Sequence, residues 1–291
     1  FVGSSNNPFV NTAEVLNTGI ELGVNWRKSG TFDYNIGANF STVNNEVIAL
    51  AKGKNEIFDA IINGEPATRT TVGLPIGSFY GYKVAGIFQS AEEIASSPKF
   101  GSEKPGDIKF ADSNNDGILD AKDRVYLGSP IPKITYGINL GAGYKGIDFN
   151  ADFLGVHGNL VFNEKETSRF AVYNWEKHVA NAWTVENPST SEPRVTNGGH
   201  NYRPSDRFLQ NGSYFRLRTV SLGYTLPASW VSKVKMESFR IFVSGTNLWT
   251  NQEFTGYNPE FPNSSSPFKV GFDNGTYPIA KSFQIGLETK F

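Results

Sequence analysis

Ser282-Phe-Gln-Ile-Gly-Leu-Glu-Thr-Lys-Phe291 alternates by twos. Phe283, Ile285, Leu287 and Phe291 fall on one face, with Thr289 among them; Gln284, Gly286, Glu288 and Lys290 fall on the other. A period of two marks a strand with one apolar and one polar face. The same alternation recurs upstream. In Ile134–Lys145 the residues Ile134, Tyr136, Ile138, Leu140, Ala142 and Tyr144 oppose Thr135, Gly137, Asn139, Gly141 and Gly143. Gly146 turns this strand directly into Ile147–Gly155, and Ser29-Gly30 joins Asn17–Lys28 to Thr31–Val43 as a tight hairpin turn. Ser213–Leu226 and Ser238–Trp249 follow the pattern. A short strand is read at Thr68–Gly73 and another strand at Phe79–Phe88, where tyrosine and glycine interleave. Counted from Asn17 these make nine strands.

The segments between them read as loops rich in Asn, Ser, Gly and Pro. They are Phe1–Leu16, Asn44–Pro66 (with room for extra pairing at Glu56–Ile62), Gln89–Lys133, roughly His157–Gly212, and Asn251–Ala280. Near-helical spacing predicts a short helix within Arg169–Trp183.

Composition narrows the class. A net charge of −1 offers no basic surface to nucleic acid. The absence of cysteine excludes disulfide scaffolds, zinc-thiolate sites and cysteine nucleophiles. No apolar run is long enough for a transmembrane helix, but alternation averages hydropathy away in a membrane barrel. The chain opens at Phe1 in mid-pattern, without a signal peptide, and is expected to be a piece of something longer.

An antiparallel meander of this kind also describes a soluble sandwich. Three features favour a membrane barrel. Most strands reach the nine to eleven residues, roughly, that a tilted spanning strand needs, against a usual five to six or so. Short connections, after Lys28, Gly73, Lys145 and Leu226, alternate with long ones, after Val43, Phe88, Gly155 and Trp249, as periplasmic turns alternate with extracellular loops. Aromatics gather at the short-turn ends (Trp26, Phe32, Tyr34, Tyr144, Phe149, Tyr224, Phe239 and Phe291) as an interfacial girdle would. The expected fold is all-β: an antiparallel transmembrane β-barrel with long extracellular loops, its polar face lining a lumen. Nine is odd and single-chain bacterial barrels are even, so a further strand is expected before residue 1.

Six stretches then carry a family resemblance: Val72-Gly-Leu-Pro-Ile-Gly-Ser-Phe-Tyr-Gly-Tyr82, Gly106-Asp-Ile-Lys-Phe-Ala-Asp112, Gly128-Ser-Pro-Ile-Pro132, Asn211-Gly-Ser-Tyr-Phe-Arg-Leu-Arg218, Leu222-Gly-Tyr-Thr-Leu-Pro227 and Ser244-Gly-Thr-Asn-Leu248. In order and spacing the chain resembles the C-terminal barrel portion of SusC/RagA-type TonB-dependent outer-membrane transporters of the Bacteroidetes. The resemblance implies that residues 1–291 belong to a barrel of about twenty-two strands plugged from within. The plug and first strands would lie upstream. It implies a SusD-like surface lipoprotein, energy from TonB-ExbB-ExbD acting through the missing N-terminal region, contact with outer-membrane lipid, and uptake of a large ligand. An oligosaccharide is the first expectation and a peptide the alternative. Phe291 would serve as the terminal aromatic that barrel-assembly machinery reads. An outer-membrane barrel enzyme and a secreted calcium-binding carbohydrate module are the rivals outside the family.

Within the loops, Asp112, Asn114, Asp116, Ile118 (through its carbonyl), Asp120 and Asp123 occupy positions 1, 3, 5, 7, 9 and 12 of an EF-hand-like loop, with Gly117 at the sharp turn. Converging hard oxygen donors predict a structural Ca²⁺; the plainer reading is a solvated acidic turn. Asp123 stands where Glu is usual, which shortens bidentate reach. Tyr173, Trp175 and Trp183 offer flat faces to a sugar ring, against a plainer role in packing the loop. His157, His178 and His200 share one loop without ligand spacing. Ser213, His200 and Asp206 lack a nucleophile-elbow pattern. Arg216 and Arg218 are expected to be paired on the lumen side or above the bilayer, since a lipid-facing arginine is costly.

Overall fold

Alternation organises seven of the described strands into one long sheet. The computed structural model describes residues 12–168, 175–260 and 266–291. In chain order its strands begin with β1 (Ala13–Thr18), β2 (Glu21–Lys28), β3 (Phe32–Thr42), β4 (Asn44–Leu50), β5 (Glu56–Ile62) and β6 (Glu65–Thr71). There follow β7 (Ser78–Gly81), β8 (Val84–Ile87), β9 (Ile108–Phe110), β10 (Val125–Gly128), β11 (Ile134–Tyr144) and β12 (Ile147–His157). The last are β13 (Leu160–Phe162), β14 (Leu209–Asn211), β15 (Tyr214–Thr225), β16 (Ser238–Gln252) and β17 (Ser282–Lys290). Among the described residues no helix is long and apolar enough to cross a membrane, which says nothing of a β-barrel.

Seven strands form an antiparallel meander in the order β17-β16-β15-β12-β11-β3-β2. Register carries the side-chain alternation across it. Tyr34, Ala142, Phe149, Leu222, Val243 and Ile285 sit opposite one another in turn and make an apolar row over six strands. One residue along, Arg27, Asn35, Gly141, Asn150, Ser221, Ser244 and Gln284 make a polar row on the other face. A slip of one residue would exchange the two faces, so the pattern pins the register. The apolar face is bare: Phe283 and Ile285 are each 79% exposed.

The short-turn end is tight. Lys145 and Gly146 both have positive φ, +47° and +85°, as a two-residue hairpin turn matched to strand twist demands. A Cβ on Gly146 would lie 2.6 Å from the Thr225 carbonyl oxygen, so glycine is needed there twice over. Phe32 meets Tyr34 and Tyr144 with ring centroids 6.1 and 6.4 Å apart, and Trp26 meets Tyr34 at 5.7 Å, which gathers part of the expected girdle.

Several expectations are corrected. Of Phe1–Leu16, read as loop, the part from Ala13 onward is strand, the start of β1, which pairs with β4, and residues 1–11 lie outside the described residues. Asn17–Lys28 is not continuous: it breaks at Gly19-Ile20, where Ile20 N donates to Thr42 Oγ1 at 3.0 Å. Thr68–Gly73 and Phe79–Phe88 do not belong to the long sheet. Their residues enter a four-stranded sheet, β10-β7-β6-β5, and the β8-β9 pair, so the long sheet has seven strands rather than nine. The physical reason lies in burial. All four residues of β7 are buried, whereas a membrane wall leaves its apolar face to lipid. The turn after Gly73 therefore lies within the first long excursion, residues 43–133. The 3-10 turn Lys177–Asn181 is the described remnant of the helix expected at Arg169–Trp183; residues 169–174 are outside the described set.

Three excursions (43–133, 158–213 and 253–281) rise from the same end of the sheet and share a core. Phe79, Phe162 and Phe272, one from each, pack with centroids 5.0–6.2 Å apart. Ala60, Ile62, Ala67 and Phe208 complete that cluster. Tyr82, Ile108, Phe110 and Leu119 form a second. Buried Asp107 joins the first and second excursions: Arg194 Nε donates to its Oδ1 at 2.7 Å and Arg194 Nη2 to its Oδ2 at 3.1 Å.

Candidate functional site

Two loop features and the lumen face hold the chemistry. The acidic loop precedes β10 and is built from carboxylates turned onto backbone N–H groups. Asp112 accepts from Asp116 N (3.2 Å) and Gly117 N (2.7 Å), and Asp116 accepts from Ile118 N (2.9 Å). Asn114 Oδ1 accepts from Asp116 N at 2.9 Å, and its Nδ2 reaches Asp116 Oδ2 at the same distance. Gly117 takes the sharp turn at φ +80°. Asp120 caps the short turn Ala121–Asp123. Asp123 is fully buried, and it accepts from Ser113 N (2.8 Å), Asn114 N (3.5 Å) and Asp120 N (2.8 Å). A carboxylate has about four acceptor positions, so Asp123 is largely spent on holding the loop. Asp112, Asn114, Asp116, Asp120 and the Ile118 carbonyl retain capacity for a cation.

The second feature is a cavity of ≈ 140 Å³ in the long-loop body. Trp175, Val179, Tyr202 and Phe208 give it apolar walls, and Glu166, Glu176, His178, Glu192, Lys165 and Arg207 give it charge. Glu166, Glu176 and His178 form a group that could hold a metal ion, with one ligand atom of each lying within 4.8 Å of the others. Burial pushes the Glu166 carboxyl up; His178, Arg207 and Lys165 pull it back, and the like charge of Glu176 adds to the rise. Sequence spacing did not point to this group, because its members converge only when the helix Glu164–Ser168 and the turn Lys177–Asn181 come together.

The remaining candidates separate. Trp175 lines the cavity and is half exposed. Trp183 packs: its ring lies where a Cβ on Gly106 would fall, and its Nε1 donates to Gln89 Oε1 at 3.0 Å. Tyr173 lies outside the described residues. His200 is tied to the Ile108 carbonyl at 2.7 Å, and its ring lies tilted against Phe110 with centroids 5.0 Å apart. Asp206 accepts from Val84 N at 2.9 Å and Ser213 Oγ from Gly158 N at 3.1 Å, so these three make no triad. Arg216 is buried and donates to Thr250 (3.0 Å), Glu260 (2.8 Å) and Asn258 (2.8 Å). Arg218 lines a polar recess on the sheet with Asn39, Asn139 and Asp152. Phe291 follows β17 and is 79% exposed.

Comparison with known proteins places this arrangement. No family model matches. The chain is 32% identical to TonB-dependent receptor P3 of Formosa agariphila, over 97% of this chain and 29% of that protein. It is 25% identical to TonB-dependent receptor SusC of Bacteroides thetaiotaomicron, over 97% of this chain and 27% of that one. The structure of the RagAB peptide transporter superposes with a TM-score of 0.76 at 22% identity, covering 96% of this chain and 29% of that chain, a likeness of fold. The chain thus spans under a third of the curated relatives it matches.

Proposed function

We propose, from the premise that this chain is a partial TonB-dependent receptor barrel homologous to such receptors over nearly all its residues, that it walls the import path of a large, polar nutrient. Receptors of this family sit in the outer membrane as β-barrels and are not enzymes, which sets aside the barrel-enzyme and secreted-module readings. The two faces of the sheet support the rest. The bare apolar rows meet lipid, and the rows of amide, hydroxyl and glycine line the lumen. Both edges, β2 and β17, are unpaired in the long sheet among the described residues. Lipid tolerates no open edge, so they pair with further strands of the complete barrel.

The ligand we favour is an oligosaccharide. The observation that carries it is the row Asn35, Gly141, Asn150, Ser221, Ser244 and Gln284, uncharged apart from Arg27 at its β2 end, whose amides and hydroxyls exchange hydrogen bonds with neutral hydroxyls. Trp175 at the cavity mouth adds a flat face. A peptide is the second reading, favoured by the fold match to a peptide transporter. Uptake by cells carrying the full-length receptor, measured with fluorescent oligosaccharides and oligopeptides against a deletion strain, separates the two. Receptor-dependent entry of peptide alone would overturn the first choice.

The same reading supplies partners. The long-loop body outside the cell meets a SusD-like lipoprotein, and TonB-ExbB-ExbD acts through parts of the receptor beyond this chain. Phe291 acts as the assembly signal. Ca²⁺ would be held by Asp112, Asn114, Asp116, Asp120 and the Ile118 carbonyl, with Asp123 bracing the loop, and would order the excursion before β10. Protection of that loop from protease in Ca²⁺ but not in chelator supports the ion; equal cleavage in both refutes it.

A further inference from the structure

We propose that Glu166, Glu176 and His178 bind a zinc ion at the wall of the long-loop cavity, pinning the helix Glu164–Ser168 to the turn Lys177–Asn181. The distances carry the argument. His178 Nε2 lies 3.6 Å from Glu166 Oε1 and 3.7 Å from Glu176 Oε2. Those separations are too wide for N–H···O hydrogen bonds, which run about 2.7–3.2 Å. They approach the edge of a tetrahedron, roughly 3.4 Å, drawn by bonds of about 2.0–2.2 Å from zinc to nitrogen and oxygen.

The surroundings hold the ligand atoms in place. His178 Nδ1 lies 3.0 Å from Glu192 Oε2, and Arg207 Nη2 donates to that same oxygen at 2.6 Å. A carboxylate on the far nitrogen fixes the tautomer that leaves Nε2 free to ligate, the usual outer support of a metal-bound histidine. Lys165 Nζ, 3.0 Å from Glu176 Oε1, occupies the oxygen that does not face His178. Asn163 Nδ2 donates to Glu166 Oε1, leaving that oxygen a second lone pair.

Charge points the same way. Three carboxylates (Glu166, Glu176, Glu192) converge beside Lys165 and Arg207, while Arg194 of the same lining is held by Asp107. One imidazole with two carboxylates suits zinc; calcium takes oxygen donors alone. All three ligands line the cavity, which leaves space beside them for water or a ligand oxygen as the fourth donor.

The test uses the full-length receptor purified in detergent and stripped of metal, titrated with ZnCl₂ by calorimetry, and with Co²⁺ to read ligand-field bands in the visible. We expect one zinc per chain and tetrahedral cobalt bands, both abolished by His178→Ala and by Glu176→Gln. Glu192→Gln should weaken binding about 10- to 100-fold by loosening the imidazole. Asp116→Asn in the acidic loop should leave zinc binding unchanged, so this site and the proposed Ca²⁺ loop stand or fall separately. Zinc uptake no greater in the parent than in His178→Ala overturns the proposal. If that variant fails to assemble, Glu176→Gln decides alone: zinc binding equal to the parent overturns it.

Discussion

The long sheet and the body above it treat the same residue types in opposite ways. In the sheet, Phe283, Ile285 and Leu287 stand outward with none of the described residues over them, and Phe283 is 79% exposed. In the body, Phe79 and Phe162 are each 1% exposed and packed against a third phenylalanine. The sheet leaves its apolar face for lipid to cover. The body is built like a water-soluble domain, with its own core gathered from three separate loops. Stability in the first depends on backbone hydrogen bonds that lipid cannot replace; in the second it depends on apolar burial.

That contrast can be broken or sharpened by substitution in the full-length receptor. The largest effect is expected from Phe162→Ala, which empties the junction of Phe79, Phe208 and Phe272. It should cost about 3–5 kcal/mol, opening the loops to protease while the heat-resistant mobility of the folded barrel on gels persists. Simultaneous loss of both would show that the body and sheet unfold as one. Next comes Leu140→Arg, midway along β11 and opposite Ile36 and Ala151. A charge on the lipid face near mid-depth costs roughly 2–4 kcal/mol, read as a lower denaturant midpoint of the barrel with loop protection intact. Gly146→Ala should cost about 1–2 kcal/mol, from a side chain forced into positive φ and against the Thr225 carbonyl, detectable as slower barrel assembly. The smallest change is expected from Ser221→Ala on the lumen row, within about 0.5 kcal/mol; a drop as large as that of Leu140→Arg would mean the faces are assigned the wrong way round.

Legibility followed the same divide. Every strand of the long sheet was readable from period-two alternation, to within a few residues at its ends. Thr68–Gly73 and Phe79–Phe88, assigned wrongly to the wall, are strands of the body, and the short strands β9, β10, β13 and β14 lie in stretches read as loop. Tyrosine and glycine interleave in Phe79–Phe88 without a polar face, because β7 is buried on both sides. Of the candidate site, the acidic loop could be proposed from sequence because its oxygen donors are local in the chain. His178 was read as isolated, since its partners Glu166 and Glu176 come from another element and from the flank of its own turn, at no diagnostic spacing.

What the sequence determined by itself is the wall: which side chains meet lipid, which meet the lumen, and where the hairpins turn. Alternation and turn chemistry are properties of adjacent residues, so they survive without knowledge of the fold. Only the tertiary structure decided which strands leave the wall for the body, how Phe79, Phe162 and Phe272 meet, and that two glutamates face one histidine. Those contacts join residues brought together by loops returning on themselves, and the return of a loop leaves no period in the chain to read.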